Sequence, residues 1–281
     1  MTRLLYLPFD QLNKSYGILR NANPKTDQIV MVESQRMLES QKWHFQRLYF
    51  LISAARHFAT SLEKDGFKVH YIKAENTKTG ILEIAKKIGT EDIFAAEPSS
   101  YRLAAELKDS VKFIENDLFL TPRKQFNEWA KPYKKLLMEN FYRAQRKRLN
   151  ILMAGDEPIG GRWNYDDENR ESLPDENYKF PAYLIHEQDE IDKKVISELS
   201  KSNLELWGDM PDGTWGTTRE AALLKLKHFL NKNFANFGPY EDAMTSKNWA
   251  LHHSLLSPYL NNGLLHAEEV VEEVTEEAEE E

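Results

Sequence analysis

Short β-rich runs alternate with helical stretches through the first 120 residues, and that alternation restricts the fold more than any other feature. LLYL (4–7), QIVMVES (28–34), KVHYIK (68–73), DIFAAEP (92–98) and VKFIEND (111–117) are short and rich in β-branched or aromatic residues. Asp, Asn, Lys or Pro bound them, as expected of strands. Between the second and third lies 43–64, where Phe45, Leu48, Leu51, Ile52, Ala55, Phe58, Ala59 and Leu62 recur at three and four. That spacing gives a helix one apolar stripe. Strand, helix, strand in this rhythm demands a parallel sheet covered on both faces. Five strands predict one Rossmann-like α/β domain over residues 1–125.

From about residue 121 the pattern changes. Residues 122–152 read as one helix, with Thr121 as N-cap, Pro122 at the first position and a Glu139–Arg143 pair across one turn. Residues 153–184 have little periodicity and hold three prolines, three glycines and many Asp and Asn residues, the pattern of a long irregular connection. Trp163 and Tyr165 within it need burial, so it is expected to lie pinned across a domain surface. A short amphipathic helix over 187–201 follows, then a turn at 209–213. The helix after it has Thr217 or Thr218 as cap, Ala221, Leu224, Phe229 and Phe234 as core face, and Gly238 as stop. The expected organisation is thus 1–125 α/β, 126–205 helical and irregular connector, and 206–281 a partial helical domain ending in an acidic tail.

Composition removes several classes of function. The chain has no cysteine, so it has no disulfide, thiolate ligand or thiol nucleophile. No HExxH or similar spacing marks a metal set, and none is expected. No apolar run approaches the ~18 residues of a membrane span, and the N-terminus MTRLLYLPFDQ is not patterned as a signal peptide. A cytoplasmic protein without a membrane partner is expected. The net charge of −8 resides in the tail: without the nine glutamates of 267–281, 37 basic residues face 36 acidic ones, a net of +1. Residues 131–148 carry seven basic residues against Glu139 alone, which reads either as a solvated helix face or as a surface for phosphates. After the first strand comes PFDQLNKSYG, with neither GxGxxG nor a P-loop, so a standard nicotinamide or ATP site is excluded. Asp10, Gln11, Glu33 and Glu97 fall at or just past strand ends, where open α/β sheets place ligands and where the same residues also cap helices.

Residues 236–265 are dense in groups that face ligands: Tyr240, His252, His253, Ser254 and Ser257, punctuated by Pro258 and Gly263. Here and upstream, eight separated motifs appear in one order. They are FDQL (9–12), AARHFATSLEKDGFKVHYI (54–72), EPSSYR (97–102), MENFYRAQRKR (138–148), GGRWNYDDENR (160–170), TTREAALLKLKHFL (217–230), FGPYEDAM (237–244) and HSLLSPYLNNGLL (253–265). In this set the sequence resembles the cryptochrome/photolyase family, specifically its iron–sulfur bacterial branch, the prokaryotic six-four photolyases.

The resemblance implies a DNA-repair flavoprotein acting on UV-damaged DNA, a carbon–carbon lyase in which photoexcited reduced FAD donates an electron to a flipped-out pyrimidine photoproduct. The alternative it leaves open is a light-sensing, cryptochrome-like or chromophore- or protein-binding module without repair activity. By motif, Tyr240 falls where the family places a flavin-contacting tyrosine. His253, Ser254, Leu255, Leu256 and Ser257 fall on the turn and helix start that cradle the FAD phosphates. Asp10 and Glu33 are the groups left for a lumazine antenna, while Met37 and Ser40 stand where the branch carries a glutamate and a tyrosine. Family members are roughly twice as long, and their further helices supply the rest of the FAD pocket, a catalytic histidine and the four cysteines of a [4Fe–4S] cluster. No catalytic residue is therefore assigned in this chain, and without cysteine that cluster is not possible. The expectation is a C-terminally truncated member, an incomplete all-α FAD-binding domain completed by a complementary C-terminal polypeptide. Phe229, Phe234, Leu255 and Leu256 would then be partly exposed.

Overall fold

A strand buried on both faces has no polar face to show, and Ile29–Val30–Met31–Val32 is such a run. In the computed structural model, which describes residues 2–173 and 178–280, it is the heart of the second strand. The first part of the chain runs β1 (Arg3–Tyr6), β2 (Asp27–Ser34), the single turn α1 (Gln35–Leu38), β3 (Trp43–His44) and α2 (Phe45–Lys64). It continues through β4 (Lys68–Ala74), α3 (Thr77–Ile88), β5 (Ile93–Ala96), α4 (Tyr101–Leu107) and β6 (Lys112–Ile114). Five of these strands form one parallel sheet in the order β4-β2-β1-β5-β6, with Leu5 level with Ile29 and Leu4 level with Ile93. The expected α/β fold with five parallel strands is what the chain adopts.

Helix α3 lays Ile81, Ile84 and Ala85 against Leu4, Tyr6, Val30 and Val32 in one buried cluster. Its close approach depends on Gly80, where a Cβ would stand 2.9 Å from Val32 Cγ1 and 3.0 Å from Ala74 Cβ. Helix α2 buries Leu48, Ile52, Ala55, Phe58, Ala59 and Leu62, most of the stripe read from sequence. It starts two residues later than that stripe suggests. His44 is extended and its Nδ1 accepts from Gln46 N at 3.2 Å, capping the helix, while Trp43 pairs in parallel with Leu206.

Beyond β6 come α5 (Arg123–Ala130), α6 (Met138–Leu149), the two-residue strands β7 (Met153–Ala154) and β8 (Glu157–Pro158), and α7 (Glu190–Ser200). Then follow β9 (Leu206–Trp207), α8 (Arg219–Phe237), α9 (Ser257–Asn262) and α10 (Ala267–Glu280). The single helix expected over 122–152 is two, separated around Pro132, which lacks the N–H a helix interior requires. Thr121 does not cap α5; its hydroxyl donates to Gln145 instead, at 2.7 Å. The Glu139–Arg143 pair forms, at 2.7 Å. Residues 174–177 of the expected irregular connection lie outside the described residues.

The core face of α8 matches the expected one in part. Its buried positions are Ala221, Ala222, Lys225, Leu226, Phe229, Leu230 and Asn233, so Ala221 and Phe229 face the core as expected, whereas Leu224 is 56% exposed. The stripe also passes through a lysine and an asparagine, which apolar spacing alone does not show. The expected partial exposure of Phe229 and Leu256 is likewise overturned: both are buried, and Phe229 packs edge-on against Phe234 and Phe237 at 5.9 and 5.4 Å. Phe234 and Leu255 are half-buried. Helix α10 keeps Val270, Val271 and Val274 half-buried and most of its glutamates exposed.

The chain divides into two compact units. The first comprises Met1–Leu118, Tyr183–Lys225 and Leu256–His266; the second comprises Phe119–Ala182, Leu226–Leu255 and Ala267–Glu281.

Candidate flavin and sheet-edge sites

In the first unit, the strand order places a topological switch point between β1 and β5, since β2 follows β1 on one side and β5 returns on the other. Asp10 and Gln11 follow β1 there, and Glu97 and Ser99 follow β5. The Asp10 carboxyl is pushed up from the usual carboxylate range by burial, partly offset by its hydrogen bond with the Ser99 side chain. Gln11 is buried; its amide donates to Glu97 O at 3.4 Å, and its Oε1 has no partner.

Glu33 ends elsewhere. It is buried at the carboxyl end of β2, where its Oε1 accepts from Arg56 Nε at 2.8 Å and from the Tyr71 hydroxyl at 2.7 Å. Arg56 also donates to Glu198 at 2.7 Å, and Lys73 donates to the same Glu198 oxygen at 2.9 Å. Held by Arg56 and Lys73, Glu198 is lowered to about 2 despite partial burial. This network borders a cleft of about 580 Å³, and Glu33 faces cations there rather than an open ring site. Asp10 and Glu33 are therefore on different networks, and no hydrogen bond joins them.

Of the strip from Tyr240 to Ser257, residues up to Leu255 belong to the second unit, and Leu256 and Ser257 to the first. In the second, Tyr240 stacks on buried His252 at 5.6 Å with ring planes 27° apart. The Tyr178 hydroxyl meets His252 Nε2 at 3.0 Å, and Phe180 packs 6.0 Å away. Burial lowers the His252 pKa, with His253 adding to the effect, and its buried Nδ1 has no partner. Leu251 and Leu255 both hold left-handed backbone, at φ +47° and +56°, and His253 and Ser254 lie between them. Leucine rarely adopts that conformation, and such strain collects at ligand-cradling turns. In the first unit, Leu256 precedes α9 with no side-chain cap bond, and Ser257 is the helix's exposed first residue. Neither serine acts as the N-cap of α9.

The model of the family described as "Deoxyribodipyrimidine photo-lyase-related protein" matches residues 5–215, three quarters of the chain. The chain belongs to that family. This photolyase-related protein is 32% identical over 283 residues to a (6-4) photolyase of Agrobacterium fabrum, covering 96% of the chain and 56% of that protein. It is also 25% identical over 181 residues to an uncharacterized protein of Acanthamoeba polyphaga mimivirus, covering 60% of the chain and 88% of that protein. Its fold is similar to the crystal structure of a bacterial class III photolyase from Agrobacterium tumefaciens, with a TM-score of 0.53 at 13% identity, over 100% of this chain and 58% of that one. The photolyase-related chain thus spans somewhat more than half the length of both photolyases. No helix among the described residues is long and apolar enough to cross a membrane.

Sequence reading missed the partners that enclose Glu33, because Arg56, Tyr71 and Glu198 lie 23, 38 and 165 residues away from it. It also left His252 without a role, although adjacency to His253 and Ser254 was a signal. In the second unit, Trp163 collects three cations over its ring: Arg143 at 5.1 Å and Arg146 and Lys147 at 5.6 Å. The expected burial of Trp163 and Tyr165 holds only in part: Trp163 is half-buried, whereas Tyr165 is 42% exposed.

Proposed function

We propose that this chain has a photolyase-like function of the iron–sulfur bacterial branch, supplying the α/β domain and part of the flavin wall for light-driven repair of UV pyrimidine photoproducts in cytoplasmic DNA. The observation that carries it is the turn at 251–255. Two leucines are held in left-handed backbone there, in the strip that the family resemblance assigns to FAD, next to the Tyr240–His252 stack. The residues fit a flavin: Tyr240 offers an aromatic face, and His253, Ser254, Leu255, Leu256 and Ser257 offer hydroxyls and main-chain groups suited to a pyrophosphate. When bound and reduced, FAD would supply the electron that splits or rearranges the photoproduct. This chain's own share is to fix the flavin's position and to shield one side of it from water.

The remaining wall comes, in this proposal, from a complementary C-terminal polypeptide, as the family resemblance implies. A lumazine antenna is not proposed, because Glu33 is committed to Arg56 and Tyr71, and Met37 and Ser40 offer no carboxylate or phenol to orient a ring. DNA phosphates are proposed to meet the basic surface of α6, whose cations around Trp163 outnumber the acids near them.

The test is repair of an oligonucleotide carrying one pyrimidine photoproduct, by this chain together with the corresponding C-terminal helices of the Agrobacterium fabrum (6-4) photolyase. Conversion of the photoproduct back to intact pyrimidines under blue light, lost in the dark and reduced by Tyr240→Ala, is expected. FAD bound and photoreduced without any repair would instead favour the cryptochrome-like reading.

A further inference from the structure

Far from the flavin strip, the first unit gathers three metal-ligating side chains that spacing along the chain does not reveal. His57 projects from α2, Asp189 caps α7, and Asp192 lies in its first turn, 132 residues or more from the histidine. Each offers one ligand atom, and these atoms lie within 4.8 Å of one another. His57 Nε2 is 2.9 Å from Asp189 Oδ2, while its other ring nitrogen, Nδ1, is turned to the Ser53 carbonyl at 3.0 Å. Bonds of about 2.0–2.2 Å to a divalent ion put neighbouring donors about 3 Å apart and opposite ones about 4.3 Å apart. The first distance matches a neighbouring pair, and the widest spacing exceeds an opposite pair by a fraction of an ångström.

Charge points the same way. Among the described residues, the ion-pair contacts of Asp189 and Asp192 are with His57 alone, with no Lys or Arg in range. Asp192 is 5% exposed, and a carboxylate that deep ordinarily has a cation beside it. It accepts instead from the hydroxyls of Ser53 and of Thr217, the latter at 2.9 Å, and from Asp189 N at 3.2 Å. The Tyr49 phenol also lies against it, raised in pKa by burial and by that carboxylate. Thr217 Oγ1 stands 3.1 Å from His57 Nδ1 and helps to hold the ring with Nε2 toward Asp189. An ion has a way in, because His57, Asp189 and Thr217 line a cavity of about 590 Å³.

We propose that His57, Asp189 and Asp192 bind a divalent transition-metal ion that fastens α7 and the segment entering α8 onto α2. One imidazole with two carboxylates is a borderline donor set, suited to Zn2+, Co2+ or Mn2+ more than to the all-oxygen ions Mg2+ and Ca2+. The ion takes the place of the proton shared by His57 and Asp189. Asp189 Oδ1 stays on the amides of Ile191 and Asp192, so the helix cap is kept.

The probe is Co2+ added to the full chain at neutral pH, followed by its visible absorption and by the melting temperature, with Zn2+ as competitor. One equivalent of Co2+ that Zn2+ displaces and Mg2+ does not, with a raised melting temperature, is expected. Asp189→Asn keeps a side-chain oxygen for the cap but removes a charge, so it weakens Co2+ binding at least tenfold while the metal-free protein melts close to wild type. His57→Gln removes the nitrogen donor and with it the stoichiometric signal. No uptake overturns the proposal, as does uptake that both variants leave unchanged, which would place the ion on the glutamates of α10.

Discussion

Lys225 is the least expected residue in the core, and its burial makes a prediction with a definite sign. It is 2% exposed, and its ammonium donates to Thr214 O at 3.2 Å and Leu184 O at 3.3 Å. Burial lowers its pKa to about 8 from the ordinary 10.5. At about 1.36 kcal/mol per unit, the folded state carries a penalty of about 3 kcal/mol while Lys225 is charged in both states. Below pH 8 that penalty is complete. As pH rises from 8 toward 10.5 the folded protein gives up its proton before the unfolded chain does, and the penalty is relieved. Stability therefore rises with pH across this window. Other groups titrate there too, so the measurement is a difference: urea unfolding of wild type and Lys225→Met at pH 7, 8, 9 and 10. Methionine fills much of the same volume and leaves two carbonyls without a donor at every pH. The wild type should gain about 2–3 kcal/mol on the variant between pH 7 and 10. A difference that stays constant over that range refutes the reasoning.

Other changes have equally direct outcomes. Gly80→Ala gains helix propensity but drives a methyl against Val32 and Ala74, so a net loss of about 1–2 kcal/mol in urea unfolding is expected. Acid should weaken the first unit as Glu198 protonates: its lowered pKa means the Arg56 and Lys73 contacts stabilise fully above about pH 4.5 and fade toward pH 2. With Glu198 about one-third exposed, about 1–2 kcal/mol is expected, and Glu198→Gln should flatten that part of the acid profile. Duplex DNA affinity should fall steeply between 50 and 200 mM salt, and the joint change Lys147→Ala, Arg148→Ala on α6 should lower the log–log slope by roughly one to two. An affinity indifferent to salt would rule out the α6 surface as a phosphate contact.

What the sequence revealed follows from where each residue's environment is decided. The sheet was legible because its inner strands are wrapped by their own crossover helices, so local apolar runs such as 29–32 report burial directly. Helix α8 was read correctly at Ala221 and Phe229 but wrongly at Leu224, because Lys225 and Asn233 occupy core positions and polar residues there erase part of the stripe. The break near Pro132 was visible in principle, since proline lacks a donor, but the reading rested on the Thr121 cap, Pro122 and the Glu139–Arg143 pair. Glu33 looked like a ligand group at a strand end. Arg56 and Glu198, which settle its role, arrive from α2 and α7. The His57 cluster was illegible for the same reason, because nothing within ten residues of His57 foretells Asp189.

The flavin strip is the core of the functional account, and FAD occupancy tests it most directly. The chain purified alone should carry no stoichiometric FAD and be colourless. Joined by the C-terminal helices of the Agrobacterium fabrum (6-4) photolyase, it should retain about one FAD, seen as blue absorbance, and lose most of it in Tyr240→Ala. Stoichiometric FAD on the chain alone would contradict the need for a complementary polypeptide. Retention untouched by Tyr240→Ala would contradict the assignment of the strip itself.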